Sequence, residues 1–407
     1  LPLTRYNFFA RGNYEINDWV GVFAQGLFSH VETFTRNEPG PIFAGWGVTV
    51  DRFRDTTGDG FLDTQVIDDN QLPADLVTLL DSRTIVIPGA TPDDPPTILD
   101  GSREPFTIQA LLPDNRETFT DVTTYNMTAG LEGFVPGTSF AWEAFVSHGI
   151  SSTYAKQTGV YSLERMRTVL NSGNFGQGFS ATGNAPFGGF GASTGTCTSG
   201  LNFYQPPAGG FSEDCLEAVR ADLKNRGEVT QTIAEANISG GLVDLPAGEL
   251  GIALGASYRE VQYSFDNDTL TTQGRSFNDQ ALGIYPSGNV DASFDVHEVY
   301  GEMLIPILSD LPGIASFSLE LGGRISDYST TGTSYTYKIL GDWEVTDWLR
   351  IRGGYNRAER APNIGELFLA AQQTFGVNTA GDPCAINNPL SFSTNPANAN
   401  GAQVEAV

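Results

Sequence analysis

The stretch "DTTGDGFLDT", residues 55–64, sets oxygen-bearing groups at alternate positions: Asp55, Thr57, Asp59, the Phe61 carbonyl and Asp63, with Gly60 among them. Hard oxygen donors at that spacing, with a glycine at the sixth place to permit the tight turn, are the pattern of a calcium loop. The twelfth place is Val66, so the expected bidentate glutamate is missing, and Asp68 and Asp69 are the substitutes in reach. The expectation is a weak Ca²⁺ site and no other cofactor. The alternative is a solvated Asp/Gly turn.

Catalytic constellations are weaker, and no catalytic residue is assigned. "GASTG", 191–195, matches G-x-S-x-G, but a nucleophile elbow needs a strand before it and a helix after it, and both flanks are Gly/Ser/Thr-rich. "GNFGQGF", 173–179, lacks the strand and helix of a phosphate loop. His30, His148 and His297 lie far apart in the chain. Glu298 with Glu302, and Asp342 with Glu344, are carboxylate pairs of the kind a glycosidase uses. The same strand faces also carry Arg324, Lys338, Arg350 and Arg352, which suits a charged wall better.

Composition narrows the class. The net charge of −26 argues against a nucleic-acid partner, which needs basic patches. Charged residues make up only 17%, while glycine and aromatic residues are abundant, which suits an all-β protein and a membrane barrel among them. No apolar run approaches the roughly 18 residues of a transmembrane helix. Cys197 and Cys215 bracket a short Gly/Pro/Phe-rich stretch and suit a disulfide in an oxidising compartment, with Cys384 left over. The chain begins and ends in mid-pattern, so the expectation is an internal fragment.

The positioning elements are strands. Tyr125, Met127, Ala129 and Leu131 alternate with Thr124, Asn126, Thr128 and Gly130. Leu250, Ile252, Leu254, Ala256 and Tyr258 oppose Glu249, Ser257 and Arg259; Val299, Met303, Ile305 and Ile307 oppose Glu298, Tyr300 and Glu302. About ten such segments recur, most of them longer than soluble strands and close to the length that spans a bilayer. Short turns alternate with long stretches at about 32–118, 151–228, 259–295 and 361–407, the asymmetry of an outer-membrane barrel. Short helices are expected in the long stretches over 72–83, 162–172 and 212–227. A soluble sandwich would hide the apolar face and a membrane barrel would show it to lipid. Strand length and loop asymmetry favour the barrel. On that reading Glu143, Arg259, Glu298, Glu302, Glu320, Arg324, Lys338, Asp342, Arg350 and Arg352 face the lumen.

"GGYNRAERAPNIGELF", 353–368, then resembles the barrel segment of TonB-dependent outer-membrane receptors. Arg360, Ala361, Pro362, Asn363, Ile364, Glu366, Leu367 and Phe368 carry the family's R-A-P-x-[IL]-x-E-L-[FY] run at a strand end. "YNMTAGLEGFVPGTSFAWEAFVSHG" (125–149), "LVDLPAGELGIALGASYRE" (242–260) and "YGEMLIPIL" (300–308) are similar to the same family. The resemblance implies a barrel of about twenty-two strands around an N-terminal plug, of which about ten antiparallel strands are here. It implies a Gram-negative outer-membrane location and active uptake of a scarce nutrient such as a siderophore, cobalamin or an oligosaccharide. Its implied partners are the TonB complex, reached through a plug not present in these residues, the outer-membrane lipid and, in some members, a surface lipoprotein. Phe203, Tyr204 and Phe211 are then candidates to stack on ligand, with local loop packing as the alternative. A soluble secreted carbohydrate-active enzyme and a passive porin are the competing readings.

Overall fold

The structure is a computed structural model that describes residues 2–17, 19–43, 46–87, 95–183, 188–191, 193–272 and 279–370. Ten long strands run in chain order: β1 (Leu3–Asn17), β2 (Val20–Ile42), β3 (Ala110–Phe134), β4 (Ala141–Ser162), β5 (Arg220–Leu245), β6 (Gly248–Asp266), β7 (Val290–Leu311), β8 (Ile314–Tyr328), β9 (Gly332–Thr346) and β10 (Leu349–Arg357). Each pairs antiparallel with its sequence neighbours, so sheet order follows chain order from β1 to β10. This meander is the expected all-β arrangement of part of a barrel wall.

Short turns join strands at one end. Pro246–Ala247 separates β5 from β6, and Pro312–Gly313 separates β7 from β8. Gly313 has a φ of 75°, a backbone state that a side chain would strain. At the other end, 43–109, 163–219 and 267–289 make long connections, although β8 returns to β9 through only 329–331.

The long connections are shorter than the sequence boundaries because the strands outrun their alternation. Past Ile150, β4 reads Ser151, Ser152, Thr153 and Tyr154, polar on both faces. Yet Ser151 still pairs with Thr124 and Val229, and Lys156 with Phe119 and Lys224. Backbone groups there keep their ladder partners whatever the side chains. Likewise β2 continues through Pro39 and Pro41 by shifting register at each, the kind of site where a strand tolerates proline. The helix expected over 212–227 ends at Val219, and Arg220 already opens β5. The other two helices form at Ala74–Asp81 (α1) and Leu163–Leu170 (α2); Glu213–Val219 is α3. In α2, Ser162 accepts from the Arg165 amide as N-cap, which satisfies one orphan donor of the first turn.

The main hydrophobic core lies in the long connections rather than within the sheet. Val48, Val50, Ile67, Leu80 and Ile108 of the first pack with Met166, Val169, Leu170, Phe175, Leu201 and Val219 of the second, and with Leu282 of the third. Polar ties cross between them. Asn171 Oδ1 accepts from the Asp51 amide at 2.9 Å, Arg167 Nη2 donates to the Trp46 carbonyl at 2.7 Å, and Ser162 Oγ donates to Asp279 at 2.6 Å. These segments therefore form one folded cap at the long-loop end of the sheet.

Candidate functional site

The register divides the sheet into two unlike faces. One rung on the first face reads Val22, Leu131, Ala144, Ala236, Ala256, Val299, Ile325, Tyr335 across β2 to β9. Leu131, Val299, Ile325 and Tyr335 are exposed, as are Leu254, Ile339 and Tyr355 on neighbouring rungs. A soluble monomer rarely leaves so continuous an apolar surface uncovered. Toward the cap this face turns polar: rungs carrying His30, Thr123, Ser152 and Glu228, then Glu32, Asp121, Tyr154 and Arg226, succeed the rung of Phe28, Tyr125 and Ile150.

The second face is a network of charges and hydroxyls. Lys338 Nζ lies 3.1 Å from Glu302 and 2.5 Å from Glu320. Asp342 pairs with Arg350 and, at 3.2 Å, with Arg352. Glu298 accepts from Ser326 at 2.7 Å and faces Arg324 at 3.7 Å, while the Arg324 guanidinium stacks 4.8 Å above the Tyr300 ring. Glu143 and Arg259 share this face by register, Glu143 opposite Asn237 and Arg259 opposite Val296. All ten residues assigned to the polar wall thus fall on one side. Sequence reading passed over Glu235, whose carboxylate accepts from the Tyr300 hydroxyl at 2.7 Å, and did not foresee that Asn126, Thr128 and Ser147 join in one cluster. Their parity along the strand was the available signal.

The R-A-P-N-I-G-E-L-F run is a compact turn. β10 ends at Arg357, so Arg360 and Pro362 lie beyond the strand wall. Pro362 has no amide hydrogen to continue the ladder, and Arg360 folds forward instead. Its Nη1 and Nη2 donate to the two oxygens of Glu366 at 2.9 and 3.0 Å. Asn363 caps the short helix Ile364–Leu367 (α4): its side chain accepts from the Glu366 amide, and Glu366 accepts from the Asn363 amide at 2.8 Å. Arg360, then that amide, hold the Glu366 carboxyl down at about 2. Ala361, Leu367 and Phe368 flank this turn. Residues 371–407, with Cys384, lie outside the described residues.

Cys197 and Cys215 are bonded, with an S–S distance of 2.03 Å, and both are fully buried in the cap. Beside them Asp214 accepts from the Thr198 amide and hydroxyl at 2.9 and 2.8 Å. The Ser212 hydroxyl above all, with those of Thr198, pulls its carboxyl down to about 2. Phe203 and Phe211 meet edge-on at 5.3 Å, and Tyr204 packs between Phe106 and Phe175 at 6.0 and 6.3 Å. These three rings are engaged in packing the cap.

The acidic loop curls around Asp55, whose Oδ1 accepts from the Thr57 and Gly58 amides and whose Oδ2 accepts from Gly60. Those amides, Gly60 first, hold its carboxyl below the usual range. Asp59 accepts from the Phe61 amide, and Asp63 from Thr56 and Thr64. The substitutes for the twelfth ligand are engaged elsewhere: Asp69 pairs with Arg52 at 2.9 Å, and Asp68 accepts from Asn174 at 3.2 Å. The carboxylates of this loop are thus engaged by its own backbone, and Asp55, Asp59 and Asp63 do not bring three oxygens within 4.8 Å of one another.

A long-stranded meander with one apolar and one polar face defines a piece of a large β-barrel wall, here carrying a folded cap. The chain belongs to the TonB dependent receptor-like, beta-barrel family, which matches residues 91–395. It is a family of receptors rather than enzymes, and its barrels sit in the outer membrane of Gram-negative bacteria. No curated protein matches the chain. Among solved structures it is similar to the RagAB peptide transporter, at 11% identity and a TM-score of 0.42, covering 92% of this chain and 36% of that one. It is also similar to the siderophore receptor PirA from Acinetobacter baumannii, at 15% identity and a TM-score of 0.37, covering 88% and 34%. The chain thus spans about a third of the length of these two proteins.

Proposed function

We propose that this chain forms part of the wall and outer cap of an outer-membrane receptor that imports a scarce nutrient with TonB-coupled energy. The observation that carries the reading is the two-faced sheet. Its exposed apolar rungs suit lipid, its opposite ion-pair network suits a water-filled lumen, and a folded cap stands at one end only. In this account the cap captures the ligand outside, and the polar face guides it past a plug to which TonB couples. A siderophore, cobalamin, an oligosaccharide or a peptide would each suit a polar wall of this kind. A surface lipoprotein over the cap is compatible with the reading. Uptake by a deletion strain across such nutrients, with and without a functional TonB, tests it. Loss of uptake of one nutrient, reproduced by disabling TonB, supports the receptor; uptake that persists without TonB indicates a passive porin.

We further propose that the 55–63 loop takes Ca²⁺ weakly through Asp55, Thr57, Asp59, the Phe61 carbonyl and Asp63. Calorimetry should show binding near the millimolar range characteristic of extracellular modules, abolished by Asp59→Asn. No heat at millimolar calcium would overturn it.

A further inference from the structure

His30, Glu32 and Asp121 bring one nitrogen and two carboxylate oxygens within 4.8 Å of one another, the only such group of three among the described residues. They sit where the apolar face of the sheet gives way to polar rungs. His30 and Glu32 are two apart on β2, so they share a face, and Asp121 on β3 is the direct partner of Glu32. The three side chains are partly shielded, at 23%, 44% and 33% exposure.

The three side chains are linked by a short hydrogen bond from His30 to Thr123 and by longer ones, His30 to Glu32 and Thr123 to Asp121. His30 Nε2 lies 3.5 Å from Glu32, and Nδ1 lies 3.6 Å from Asp121. The Nε2–Glu32 separation is long for a hydrogen bond and close to the about 3.3 Å between two ligands on a tetrahedral zinc. The imidazole is also held as metal-bound histidines are. Its Nδ1 is 3.0 Å from the Thr123 hydroxyl, and Tyr6 stacks on its ring at 6.4 Å and 22°. With Nδ1–H donating to Thr123, the Nε2 lone pair is free on the Glu32 side. Thr123 Oγ1 in turn donates to Asp121 Oδ1 at 3.4 Å, tying a ligand oxygen to the same outer contact. Such second contacts fix the tautomer and orientation of a ligating histidine.

We propose that His30, Glu32 and Asp121 form a binding site for a divalent first-row transition ion, with zinc the best match. One imidazole nitrogen and two carboxylates make a borderline donor set that suits zinc better than calcium or magnesium. Glu32 is the most exposed of the three, so the ion would keep a position open to water. The site would pin β2 to β3 where the wall passes beneath the cap.

The test is zinc chloride calorimetry on the intact, EDTA-treated receptor in detergent micelles. The wild type is expected to bind one more equivalent of zinc than His30→Ala. Asp121→Asn is expected to weaken that equivalent at least about tenfold, and His148→Ala, two rungs away on the same face, to leave it unchanged. Excess magnesium should not displace it. Should His30→Ala fail to fold, Asp121→Asn and Glu32→Gln decide by the same loss. Zinc uptake by the variants equal in amount and affinity to that of the wild type would overturn the site, as would no zinc heat from the wild type.

Discussion

Arg360 and Glu366 meet through two hydrogen bonds of 2.9 and 3.0 Å, and the same carboxylate closes the capping box of α4. One side chain therefore ties the chain leaving the strand to the first turn of the helix. Arg360→Lys keeps the charge but loses the planar fork, and Glu366→Gln removes the ion pair. Both pairs of groups are exposed, so the melting temperature should not move. Amide exchange at Asn363 and Glu366 should rise several-fold, read by residue-resolved hydrogen exchange. Unchanged protection would mean that the turn does not depend on this pair.

The Cys197–Cys215 bond should stabilise the cap rather than the sheet. The two residues are 18 apart, and closing a loop of that length is worth about 3 kcal/mol in the chain-entropy picture. Cys215→Ser should therefore open the 163–219 segment to protease well before the strands are lost. Mass mapping after limited digestion reads this directly. Equal protease resistance in the variant and the parent would count against it.

Acid should loosen the cap before it affects the strands. The folded-state carboxyl of Asp214 lies near 2, below its ordinary value of 3.8. A depressed carboxyl contributes stability above its unfolded pKa and loses it as pH falls through the folded value. Exchange protection around 196–219 should thus be flat from pH 8 to about 5 and fall between about 4 and 2. Asp214→Asn should flatten the acid limb of that curve. An unaltered acid limb in the variant would place the dependence elsewhere.

Asp114 ties three wall strands together where they meet the cap. Its carboxylate accepts from the Tyr161 hydroxyl at 2.5 Å and from Arg220 at 2.6 and 2.9 Å, linking β3, β4 and the start of β5. Hydrogen bonds to charged, half-buried groups are each worth roughly 1.5–3 kcal/mol. Asp114→Asn should cost about 2 kcal/mol in denaturant unfolding followed by a cap probe, with a smaller change at a probe on β9. Equal losses at both probes would show that cap and wall unfold as one unit.

The wall was legible because its signal repeats. Val299 and Glu298, or Ile339 and Lys338, declare opposite faces within two residues. The strand ends were not legible, because Ser151 to Gln157 show no apolar–polar alternation and are held by the ladder and by polar ties such as Ser152–Glu228 and Lys156–Asp222. The cap was hidden for a related reason. Val48, Met166 and Leu282 are brought together by tertiary packing across distant connections, and no local period announces it. The His30–Glu32–Asp121 group needed the β2–β3 register, since its members are scattered in sequence and His30 alone is unremarkable.

The central claim is that the apolar face meets lipid and the polar face lines a lumen. Ile339 and Thr336 lie on opposite faces of β9, Ile339 beside Leu321 and Tyr355, Thr336 beside Arg324. Nitroxides at Ile339→Cys and Thr336→Cys in the reconstituted receptor report this by electron paramagnetic resonance. The account predicts that the label at 339 is relaxed mainly by oxygen dissolved in the bilayer, and the label at 336 mainly by a water-soluble nickel chelate. Both labels responding chiefly to the chelate, or the reverse pattern, would contradict it.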